Sequence, residues 1–134
     1  MSIDQLLKSH PVRGDDRGQL VAIESNIDVP FEIKRIFYIY GTKQGIPRGN
    51  HAHYKTKQYL ISVSGSCKVT LDNGVEKVTY NLDSQNKGLL QSEYVWGVMH
   101  DFSDDCVLLV LASEHYEDAD YIRDYEQFIK QVVT

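Results

Sequence analysis

Alternating apolar and polar positions, cut by Gly, Pro and Asn, run through the middle of the chain. Residues 19–24, 31–40, 58–63, 67–71, 75–82, 89–91, 95–99 and 106–112 each carry the β-branched and aromatic residues of a short strand. The run 31–40 (FEIKRIFYIY) carries the densest such signal before the loop 41–50, which holds three Gly and one Pro. Asp72-Asn73-Gly74 between two such runs predicts a hairpin. Many short strands with turns at regular spacing predict an all-β sandwich or barrel. The ends differ from this middle. Residues 1–18 are polar, with Pro11, Gly14 and Gly18, and predict an arm. In 119–133 the period changes: Tyr121, Ile122, Tyr125, Phe128, Ile129 and Val132 fall on one helical face. A C-terminal amphipathic helix over 119–133 is therefore expected to pack on the β-domain.

The length of 134 residues suits one domain, 1–134, around one core. A formal net charge of −5 supplies no global basic field, so nucleic acid is not an expected partner. The longest purely apolar run, Val107 to Ala112, is far too short to cross a membrane. The N-terminus lacks the basic start and apolar run of a signal peptide, and a cytoplasmic protein is expected. Cys67 and Cys106 sit in apolar runs and read as buried small hydrophobes. Nine Tyr against four Phe and one Trp suit half-buried and interfacial surfaces.

Within this frame one stretch carries chemistry: Gly45-Ile46-Pro47-Arg48-Gly49-Asn50-His51-Ala52-His53. On a strand, His51 and His53 share a face and Ala52 takes the other. Two such imidazoles can bind a metal, carry protons or pack in a core. The spacing narrows the choice. Gly45, five residues, His51-x-His53, four residues, Gln58, six residues, Gly65 resembles the first motif of the cupin family at every interval. It departs at Gln58, where the family has Glu. The resemblance implies a double-stranded β-helix, or jelly roll. In metal-binding cupins the two His and that Glu are joined by a His of a second motif. Here the segment from Gly88 to Val98 lacks the Pro, Gly and His of that motif, and His100 is out of register. No metal is expected, since an uncharged Gln is a poor ligand beside carboxylate.

A closer resemblance covers residues of about 10 to 128. Pro47-Arg48-Gly49-Asn50-His51-Ala52-His53, Ile33 to Ile39, Trp96 to Phe102, Cys106 to Ser113 and Tyr121-Ile122-Arg123 look like the sugar 3,4-ketoisomerases. That family converts dTDP-4-keto-6-deoxyglucose to its 3-keto isomer, for 3-amino-3,6-dideoxy sugars. It implies a homodimer with exchanged N-terminal segments and needs no cofactor, because the substrate's own ketone acidifies the C–H bond. The family commonly has His after the Trp, where this chain has Gly97. Neutral imidazoles suit acid–base work near pH 7. His53 is expected to serve carbon and His51 the oxygens O3 and O4. Arg48 and Tyr38 are the expected donors to developing oxyanion charge. Arg48, Gln58, Trp96 and Lys57 are the expected substrate contacts. The rival readings are a metal-dependent small cupin dioxygenase, a non-catalytic nucleotide-sugar binding module and a dTDP-sugar epimerase on the same fold.

Overall fold

A computed structural model describes residues 2–133. In chain order the elements are β1 (Leu7–Ser9), β2 (Arg13–Asp15), β3 (Gly18–Leu20), β4 (Arg35–Ile39), β5 (Arg48–His53), β6 (Gln58–Ser64), β7 (Cys67–Asp72), β8 (Lys77–Leu82), β9 (Lys87–Gln91), β10 (Trp96–His100), β11 (Val107–Ala112), β12 (Tyr121–Ile122) and α1 (Tyr125–Val132). Two antiparallel five-stranded sheets face each other, ordered β1-β9-β6-β11-β4 and β12-β5-β10-β7-β8. This is the jelly-roll architecture expected of a cupin. The β2–β3 hairpin stands apart, fully exposed, on the arm.

Strand alternation sorts the side chains. Leu60, Val69, Leu71, Leu89, Leu108 and Val110 point between the sheets and form the main core, with Phe37, Ile39 and Met99. Tyr59, Ile61 and Leu111, one residue out of phase, point outward. They are covered by Val29 and Phe31 of the segment before β4. Cys67 and Cys106 are both buried free thiols, as their apolar setting predicts.

The C-terminal element is shorter than 119–133. Tyr121 and Ile122 are extended and pair with His53 and Ala52 on the edge of β5. Helix begins only after Asp124, whose carboxylate accepts from the N–H groups of Glu126 and Gln127. The helical spacing of Tyr121 and Ile122 was met by chance. An unpaired edge of β5 takes them instead, because each backbone group there needs a partner. Phe128 is fully buried on the outer face of the second sheet, against Ala52, Trp96 and Ile122.

Candidate active site

The inward faces of the strands change character at one end of the roll. Arg35, Ala112, Gln58 and Gln91 are directly opposed across β4, β11, β6 and β9, so they form one row. Each precedes or follows an inward core residue by two positions: Phe37, Val110, Leu60 and Leu89. The row therefore faces the interior, and it is polar where the next layer is apolar. Opposite it, β5 supplies His51 and His53, and β12 supplies Tyr121.

Asn50 adopts a left-handed conformation (φ 57°), and the β5–β10 register slips there, pairing Gly97 with His51 but Val98 with Gly49. This bulge re-aims the strand just ahead of the histidines. The two imidazoles meet edge to face at 5.0 Å between ring centres. The Tyr121 ring lies 4.9 Å from His51 and 4.5 Å from His53. The Arg123 guanidinium also lies over the Tyr121 ring, at 4.3 Å.

Burial sets the protonation. His53 is 1% exposed, and its Nε2 has no hydrogen-bond partner. Desolvation, with the neighbouring His51, pushes its pKa down to about 4; Asp120 opposes this, while Arg35 and Arg123 add to it. His51 is also lowered, mainly by desolvation. Its Nδ1 lies 3.1 Å from the Gly49 carbonyl, which can only accept. The proton of neutral His51 therefore sits on Nδ1, leaving Nε2 with a free lone pair. Both rings are neutral bases at pH 7.

Asp120 braces this end. It is buried and accepts the N–H groups of Lys55 (2.8 Å) and Thr56 (3.2 Å) as well as the Thr56 hydroxyl. Its own carbonyl accepts from Tyr54 N–H. The loop after His53 is thus tied to the strand that carries Tyr121.

Of the residues expected from sequence, His51, His53 and Gln58 come to the polar end, with Gln58 3% exposed. The others do not. Tyr38 is 61% exposed, stacked on Tyr40 on the outer face of β4. Its neighbours Arg35 and Phe37 hold the inner face, because alternation fixes two faces without saying which is inside. Trp96 is a core residue, 7% exposed, between Tyr125 and Phe128 on the Ala52 side of the sheet. Lys57 pairs with Glu93 at 2.8 Å. Arg48 is exposed at the start of β5, and the cations whose charges act on His53 are Arg35 and Arg123. Arg35, Gln91, Tyr121 and Arg123 were missed. Arg35 had a signal: it breaks the apolar series Ile33, Phe37, Ile39 at the head of its strand.

Gly97 also finds its reason. A Cβ there would lie 2.5 Å from Gln91 Nε2. The Gln91 side chain, donating to the Val95 carbonyl at 3.0 Å, occupies the space beside position 97. Among the described residues no group of three or more His, Cys, Asp or Glu is placed to hold a metal ion.

A jelly roll whose polar end holds two neutral imidazoles defines a cupin-type acid–base site. Residues 3–133 match the family model FdtA: WxcM-like, C-terminal, and the chain belongs to that family, among the sugar 3,4-ketoisomerases. It is 52% identical, over 88% of its length and 85% of the relative's, to the TDP-4-oxo-6-deoxy-alpha-D-glucose-3,4-oxoisomerase of Aneurinibacillus thermoaerophilus. A 3,4-ketoisomerase from Helicobacter canadensis superposes with a TM-score of 0.94, at 42% identity and 98% coverage of both chains. A mutant of the 3,4-ketoisomerase QdtA from Thermoanaerobacterium thermosaccharolyticum, in complex with TDP-4-keto-6-deoxyglucose, superposes with 0.91, at 41% identity, covering 94% of this chain and 91% of that one.

Proposed function

We propose that this enzyme converts dTDP-4-keto-6-deoxy-D-glucose to the dTDP-3-keto-6-deoxy isomer through an enediolate, with His53 and His51 moving the protons. The observation that carries this reading is the unpaired, buried Nε2 of His53 beside the free Nε2 of His51.

The steps balance without an outside reagent. His53 takes the C3 proton; the C–H electrons form the C3–C4 double bond, and the carbonyl pair moves onto O4. His51 Nε2 takes the proton of O3 and returns it to O4. The O3 pair then closes the C3 ketone, and His53 returns its proton to C4. A base held near pKa 4 in the empty site gains basicity as the enediolate charge builds, since a nearby anion favours imidazolium. Desolvation thus keeps His53 unprotonated until the substrate calls for it. Gln58 would hydrogen-bond the sugar; its position on the inward row supports this. The exposed hairpin β2–β3 and the exposed side chains Ile36 and Tyr38 of β4, with Tyr40 just beyond it, support a homodimer with exchanged N-terminal segments.

The test is incubation with dTDP-4-keto-6-deoxy-D-glucose in D2O, followed by NMR. The wild type should yield the 3-keto sugar with deuterium at C4, and deuterium should enter C3 of the recovered 4-keto substrate. H51N and H53N should each turn over about 10²–10⁴ times more slowly. A C3 or C5 epimer as product would make the enzyme an epimerase. Activity that depends on stoichiometric bound metal would favour the dioxygenase-like platform, and wild-type rates in both variants would end the proposal.

A further inference from the structure

One charged side chain on the inward row has a buried nitrogen without a partner. Arg35 opens β4 on the inner row, and its side chain makes no ion pair and no hydrogen bond with any described residue. Its guanidinium lies over two rings, 5.3 Å from the centre of Phe37 and 5.5 Å from that of Tyr116. Its Nε is fully buried and unpaired. Leaving a charged donor unpaired in a buried place is costly, and proteins rarely tolerate it without a use. Contact with ring faces satisfies none of its N–H bonds.

Two buried nitrogens therefore stand orphaned at the same end of the roll, the Nε–H of Arg35 and Nε2 of His53. One is an obligate donor; the other is the base. A substrate that satisfies both at once must offer a proton to His53 and an acceptor oxygen to Arg35. A C–H bond next to a ketone has that pattern.

We propose that Arg35 is the electrophile of the isomerisation: its buried N–H donates to the ketone oxygen at C4 and holds that oxygen as the enediolate forms. This rests on the ketoisomerase reading. A preorganised cation in a water-poor site acts more strongly than in water, and it needs no reorganisation when the charge appears. The positive charge of Arg35 also helps keep His53 neutral in the empty site. One residue would thus prepare the base and receive the charge the base creates. The exposed Arg123 and Lys55, engaged with Asp118 at 3.0 Å and Glu117 at 2.9 Å, stand outside the buried row.

Arg35→Met keeps an apolar stem beside Phe37 and Tyr116 and removes the donors; Arg35→Lys keeps the charge and loses the planar fork. In R35M, kcat and C3 exchange in D2O should fall about 10²–10³-fold. Affinity for dTDP alone, by calorimetry, should stay within about twofold, and R35K should lie between R35M and wild type. A kcat within about fivefold of wild type in folded R35M overturns the assignment. So does an unchanged kcat with dTDP affinity down tenfold or more, which would give the guanidinium to the diphosphate. Should R35M not fold, R35K decides: a wild-type kcat overturns the proposal, and a loss of tenfold or more with dTDP affinity kept supports it. Wild type in the same series separates the two claims. If it forms no 3-keto sugar, the function reading fails; if it does and the variants match it, only Arg35 fails.

Discussion

Acid should weaken this fold through His53. In the folded chain its pKa is pushed down to about 4, against an ordinary 6.5. Between those values the unfolded chain binds a proton that the folded chain refuses. Stability is therefore complete above pH 6.5 and is lost as pH falls toward 4. The interval is about 2.5 pH units at about 1.4 kcal/mol each, or about 3.5 kcal/mol in all. This is a large share of the roughly 5–15 kcal/mol that hold a domain together. His51 and His10 are lowered too, with the same sign, so the whole protein loses more. The contribution of His53 is isolated by comparing wild type with H53N, since every other group is present in both. Urea unfolding of the two proteins, from about pH 7.5 to about pH 4.5, reads the difference. Wild type should lose about 2–3 kcal/mol more than H53N over that range. Curves that run parallel within about 0.5 kcal/mol would show that His53 is not desolvated, and the neutral-base assignment would lose its physical ground.

Asp120→Ala strands three donors, two backbone N–H groups and the Thr56 hydroxyl, and should cost about 2–4 kcal/mol in thermal or urea unfolding. Asp120→Asn keeps an acceptor and should cost less; equal losses would mean that the loop is held by something else. For the subunit arrangement, the wild type should sediment at twice the 15.4 kDa chain mass. Ile36→Asp with Tyr38→Lys should yield monomers, and a monomeric wild type would refute the exchanged dimer.

How much of this was legible beforehand follows from which rules are local. The side-chain period of a strand is two, so His51 and His53 had to share a face, and they do. The Gly-to-Gly spacing around them resembled the cupin motif, and the jelly roll is the fold observed. Tyr38 and Arg35 show the limit. Both lie on one predicted strand, and which set points inward depends on the opposing sheet, not on β4 itself. Trp96 lay in a matched segment, yet the helix α1 claims it for the outer core.

Local chemistry in the chain determined the strands, the paired imidazoles and the hairpin at Asn73-Gly74, because each depends on neighbours within a few residues. Tertiary structure alone decided that Arg35, Gln58 and Gln91 line one row through the register of four strands. It alone laid Tyr121, 68 positions beyond His53 in the sequence, against both histidines, because β5 had a free edge to pair. Desolvation, too, is a property of what surrounds a group. The same His53 that titrates near 6.5 in an open chain becomes a neutral base only where the sheets close over it.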